Sequence, residues 1–159
     1  MIIPKTDNRK FKIGTLKNKI KYCIIEDNKE TKTNVSIAVN IGNIMDPHEN
    51  QGLAHFLEHM LFMGSVKYPA VNYFFEQISS NGGMTNAYTS SFQTVYFFNA
   101  FNKNIKEIID IFSRFFIDPL FNKAAVNKEI KAIHSEHTKN INNMFWRLFQ
   151  IICNLSNPK

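Results

Sequence analysis

Gln51-Gly52-Leu53-Ala54-His55-Phe56-Leu57-Glu58-His59-Met60-Leu61-Phe62-Met63 marks the point where this chain changes period. Apolar side chains fall at 53, 54, 56, 57, 60 and 61, a spacing that winds into a largely buried helix. Gly64 stands where a left-handed residue would end it. Upstream the period is two. Residues 11–16 and 20–25 read as strands about a turn at Lys17-Asn18, and Val35, Ile37, Val39 and Ile41 share one face of a third. Downstream, residues 70–80 predict a second helix, closed by Asn81-Gly82-Gly83, and residues 84–90 and 94–101 predict a hairpin. Asn104 is placed to cap a helix reaching Phe116, stopped by Asp118-Pro119. Asn122 is placed to cap a last helix running to Met144 or beyond. Strands, helices, a hairpin, then helices give an α+β fold with a mostly antiparallel sheet covered by helices.

Composition narrows the function classes. At 159 residues the chain is one domain at most, or a piece of a larger one. Apolar residues make up 44% and charged residues 20%, enough for a packed core and against wholesale disorder. No run of eighteen apolar residues occurs, and the first residues lack the apolar stretch of a secretory signal, so no membrane association is expected. Cys23 and Cys153 are too few for a disulfide framework, which points to a reducing compartment, the cytoplasm. The net charge is +6, but the lysines are scattered with no basic block. A solvated lysine-rich surface is therefore expected rather than a nucleic-acid partner.

The helix over 51–63 carries H-x-x-E-H: His55, Glu58 and His59. At about 100° per residue, His59 lies about 40° round from His55 and one turn along, so both imidazoles project from one face and can chelate one metal. Glu58 sits at about −60°, on the flank opposite to that taken by the glutamate of H-E-x-x-H. A catalytic zinc takes three protein ligands, so a third must come from another element. Glu129 and Glu136 on the last helix share a face two turns apart; one can ligate while the other orients a ligand. His134 and His137 lie about 200° and 100° round from Glu136 and are left out, as is His48 in a polar loop.

Residues 55–64 together with Lys67-Tyr68-Pro69 closely resemble the insulinase/pitrilysin family of zinc metallopeptidases. Residues 81–90, 115–121, Ser135-Glu136-His137 and 146–150 continue the likeness, which covers residues 11 to 159. The resemblance implies one zinc ion per chain on His55, His59 and Glu136. It implies Glu58 as general base for the hydrolytic water and Glu129 as an auxiliary catalytic glutamate. It implies an edge strand over 83–90 that aligns extended peptides, with Asn86 and Ala87 as central contacts and Tyr88, Phe62 and Trp146 lining apolar subsites. The expected activity is zinc metalloendopeptidase hydrolysis of short unfolded peptides, the alternative being a non-catalytic peptide-binding or scaffold relative.

Family members are built from several homologous domains or paired subunits. The resemblance therefore implies an N-terminal arm over 1–10 followed by a partial peptidase domain over 11–159. Such a piece is expected to be poorly active alone. Its implied partners are a peptide substrate, the remaining domains or a partner subunit, and a second copy of itself.

Overall fold

The computed structural model describes residues 3–156, apart from the side chain of Asn154. Of the expected N-terminal arm, residues 1 and 2 lie outside the described residues. Five strands and five α-helices follow: β1 Lys10–Thr15, β2 Lys21–Glu26, β3 Lys32–Val39, α1 Leu53–Leu61, α2 Tyr73–Ser80, β4 Met84–Thr89, β5 Thr94–Phe101, α3 Ile105–Arg114, α4 Lys123–Ile141 and α5 Met144–Leu155.

All strand pairing is antiparallel. β1 and β2 form a separate two-stranded hairpin, and the other three form a sheet in the order β3-β5-β4. Strand β5 is therefore central and mostly buried, whereas β3 and β4 are outer strands among the described residues. Along β4 the exposure alternates: Met84, Asn86 and Tyr88 face outward, and Thr85, Ala87 and Thr89 face the helices.

The core is an aromatic stack between this sheet and α1, α2 and α3. Phe74 meets Phe98 edge-to-face at 5.8 Å between centroids and Phe115 at 4.9 Å, and Phe98 meets Phe112 at 5.0 Å. Ile78, Ile108, Ile111 and Ala100 fill the spaces between the rings. Burying such rings contributes several kcal/mol each by area, on the order of 25 cal/mol per Å².

The connection after α1 places the later helices. Gly64, at a φ of 98°, turns the chain, and its carbonyl accepts from the Leu120 amide. The Val66 amide donates to the Asp118 carbonyl, so residues 64–66 and 118–120 run side by side. Lys67 and the Tyr68 hydroxyl both hydrogen-bond Asp110 of α3 at 2.6 Å. Asn122 then caps α4 as expected, its side chain accepting from the Ala124 amide at 2.8 Å.

Two expectations are corrected. The last helix does not run unbroken past Met144; it ends at Ile141 and α5 begins at Met144. Asn143 is extended (φ −81°, ψ 122°), and its side chain accepts from the Phe145 amide at 2.9 Å. Asn142-Asn143 offers the backbone a local cap in place of continued helix. Asn104 does occupy the position before α3, but its amide donates to Asn81 instead of the helix.

Candidate active site

Helix α1 supplies three functional side chains, and its start is fixed from the preceding loop. The Asp46 carboxylate accepts from the amides of Gly52 at 2.7 Å and Ala54 at 2.9 Å, satisfying donors that a helix N-terminus leaves open. Gly52 takes a φ of 90°, which a side chain would strain.

One turn apart on α1, the rings of His55 and His59 meet at 84° with their Nε2 atoms 3.3 Å apart. Helix α4 packs on α1 and brings Glu136 to the pair. Its Oε2 lies 3.9 Å from His55 Nε2 and 3.8 Å from His59 Nε2. One donor atom from each of the three residues lies within 4.8 Å of the others. Tetrahedral bonds of about 2.0–2.1 Å to nitrogen and oxygen imply edges of about 3.4 Å between ligand atoms. The histidine pair already has that edge, and the carboxylate needs to close by about 0.5 Å. Two imidazoles and one carboxylate, with a position left open, are a donor set that fits a catalytic zinc.

Glu129 takes the other place on that face of α4. Its Oε2 lies 3.2 Å from His59 Nδ1, and it is 6% exposed, whereas the Glu136 side chain is 48% exposed. A buried carboxylate at Nδ1 assigns the ring proton to that nitrogen, so the Nε2 lone pair of His59 faces Glu136 and His55.

Glu58 is 8% exposed, and its Oε2 accepts from the Thr89 hydroxyl at 2.6 Å. Burial, and secondarily the Glu58 charge, push the phenol of Tyr96 well above its ordinary pKa. Beside Glu58 and His59 opens a cleft of about 210 Å³, whose other walls include Phe62, Phe75, Asn86 and Ala87. Phe75 stacks on Phe62 at 5.4 Å.

The profile of the insulinase family, peptidase family M16, matches residues 22–159. The chain belongs to the insulinase family. It is 45% identical over 156 residues to the A-factor-processing enzyme of Saccharomyces cerevisiae, covering 98% of this chain and 15% of that protein. It is 39% identical over 153 residues to the insulin-degrading enzyme of Homo sapiens, covering 96% and 15%. A crystal structure of pitrilysin superposes with a TM-score of 0.81 at 31% identity, over 85% of this chain and 14% of that one. The chain thus spans about one-seventh of the length of these insulinase relatives.

The α+β architecture is that of part of an insulinase-type domain, and membership of this family of zinc metallopeptidases supports a peptidase function. Of the residues expected at the site, His55, Glu58, His59, Glu129 and Glu136 come together, and Phe62, Asn86 and Ala87 border the cleft. Tyr88 lies on the outward face of β4 and Trp146 on the exposed α5; neither lines the cleft. His134, His137 and His48 are exposed and outside the donor group. Phe75 and Thr89 carry no sequence expectation of their own. Strand alternation is the signal for Thr89, since it puts 85, 87 and 89 on the side of α1. Among the described residues no helix is long and apolar enough to cross a membrane.

Proposed function

We propose that this chain is the metal-binding portion of a metalloendopeptidase acting on short extended peptides, with His55, His59 and Glu136 holding one zinc ion and Glu58 as general base. The observation that carries the reading is the convergence of three donor atoms from two helices beside a buried carboxylate in an open cleft. Bound there, zinc would supply Lewis-acid polarisation of a water and of the scissile carbonyl.

The remaining work belongs to the chain. Glu58 takes the proton from the attacking water and returns it to the leaving amine. Glu129 holds His59 in the tautomer that presents Nε2. The outer edge of β4 pairs with the peptide backbone, which gives affinity with little demand on sequence, while Phe62 shields a side chain from water. The cleft is open, so water is poorly excluded and turnover by this chain alone is slow.

Metal analysis with variants tests the assignment. One zinc per chain is expected, lost in His59→Ala and weakened in Glu136→Ala. Glu58→Gln keeps the metal and abolishes hydrolysis of a quenched fluorescent peptide. Loss of zinc in Glu58→Gln together with full retention in Glu136→Ala would invert the roles.

We further propose that a second copy of the chain covers α5. That helix shows Phe145, Leu148, Phe149, Ile151 and Ile152 about half or more exposed, with Arg147 as its one formal charge. The chain exposes 12204 Å², roughly half as much again as the about 8,200 Å² that surface scaling gives for a folded monomer of its 18.5 kDa. The excess on one chain is larger than the about 1,000–2,500 Å² per partner of an obligate homodimer interface, so a second copy on α5 covers only part of it.

A further inference from the structure

We infer that Thr89 is the positioning residue for Glu58, a step that rests on the reading of Glu58 as general base. The two residues are 31 apart in sequence and on different elements, yet the Thr89 hydroxyl meets Glu58 Oε2 at 2.6 Å. That is the short range of a hydroxyl donating to a charged oxygen.

The direction of the bond follows from proton count. Thr94 stands opposite Thr89 in the β4–β5 register, and its Oγ1 lies 3.3 Å from Thr89 Oγ1. Thr94 is 4% exposed, and its hydroxyl donates to the Ile41 carbonyl at 2.9 Å. A hydroxyl has one proton, so Thr94 has none left and faces Thr89 as an acceptor. The Thr89 proton is then shared between a neutral oxygen at 3.3 Å and a carboxylate at 2.6 Å, and the carboxylate wins on both charge and distance.

Two consequences follow for the base. First, Oε2 is occupied, while among the described residues no hydrogen bond reaches Oε1, which is the oxygen left to move a proton. Second, the carboxylate is held toward β4. Glu58 adjoins His59 in sequence, yet the donor group comprises His55, His59 and Glu136 without it. Released from Thr89, Glu58 is a further oxygen donor within one side chain's swing of a metal there. The latch therefore keeps a base from becoming a ligand, and it couples that base to the strand proposed to align the peptide.

The test uses the full chain and compares Thr89→Val, which keeps the shape, with Thr89→Ser, which keeps the hydroxyl. Without metal or substrate, side-chain coupling constants of Glu58 report its rotamers. A single rotamer is expected in the wild type and Thr89→Ser, and averaging in Thr89→Val. With Co²⁺ as the probe, the visible spectrum of Thr89→Val weakens toward higher coordination, while Thr89→Ser matches the wild type. In peptide hydrolysis Thr89→Val lowers kcat by about 10- to 100-fold with KM little changed, and Ser restores it.

If Thr89→Val folds poorly, Thr89→Ala replaces it, with the same signature expected. An unaltered Glu58 rotamer in folded Thr89→Val or Thr89→Ala overturns the latch. So does an unchanged kcat in a background where Glu58→Gln is inactive. Activity surviving in Glu58→Gln overturns the underlying base assignment, and with it the role given to Thr89, whatever the rotamers show.

Discussion

At the residue scale, the site depends on which nitrogen of His59 holds the proton. Glu129 is the one residue of α4 that is buried, and it is charged. Burying a carboxylate is costly unless it is paired, and its partner is His59 Nδ1 at 3.2 Å. Glu129→Ala removes that partner without touching a proposed ligand. The zinc affinity, measured by competition with a chromophoric chelator, is expected to fall about 10- to 100-fold. An unchanged affinity would leave Glu129 with no part in orienting the ring. The histidine pair was legible in the sequence because a helix repeats every 3.6 residues, so residues four apart share a face whatever surrounds them. The division of labour between Glu129 and Glu136 was not legible from spacing, and only the family resemblance assigned it. Both lie on one face of α4, and the choice depends on how far along α4 the α1 helix crosses it. Thr89 was illegible for a similar reason: its hydroxyl gains a role only through the packing of β4 beneath α1.

At the element scale, the sequence pattern located the five strands and the first four helices to within a few residues, and α5 only as a continuation of α4. The failures occurred at polar junctions. Asn142-Asn143 lies inside a helical pattern, yet one asparagine cap ends it, because a side-chain acceptor for the Phe145 amide competes with the next intrahelical bond. Helix α2 starts at Tyr73, three residues later than the pattern suggests, because residues 70–73 first form a turn from the Ala70 carbonyl to the Tyr73 amide.

The joint between the α1–α2 connection and α3 is electrostatic and therefore depends on pH. The Lys67 ammonium, and then the Tyr68 hydroxyl, hydrogen-bond Asp110 and hold its carboxyl below the ordinary carboxylate range. A carboxyl depressed in the folded state stabilises above the unfolded pKa of about 4 and loses that contribution as pH falls through the folded value. Asp110→Asn is thus expected to melt below the wild type at pH 7, with the gap closing under acid. Paired thermal melts from pH 7 to pH 2 check this, and a gap unchanged at the acid end would mean that charge has no part in the joint. The exposure of the pair keeps the expected shift small.

At the scale of the whole molecule, one half of the chain is a closed core and the other is surface without cover. The sheet, α1, α2 and α3 enclose the stacked phenylalanines. The β1–β2 hairpin instead leaves Ile13, Ile24 and Ile25 about half exposed, and α5 contacts α4 while turning its aromatic residues outward. An isolated two-stranded hairpin is marginal in water, and an apolar helix is no better, so both gain from a partner. A twofold arrangement lets each α5 bury the other, because an isologous contact needs only one self-complementary patch. Charge placed in that patch must be desolvated twice per dimer, once in each copy. Phe149→Glu with Ile152→Glu is therefore expected to convert a concentration-dependent dimer into a monomer in sedimentation velocity. The core lies elsewhere, so the melting behaviour of the sheet and its three helices should survive. A wild type that remains monomeric at the highest soluble concentration would remove the second copy as the cover for α5. The zinc assignment would stand in that case, since all three donor atoms come from within one chain.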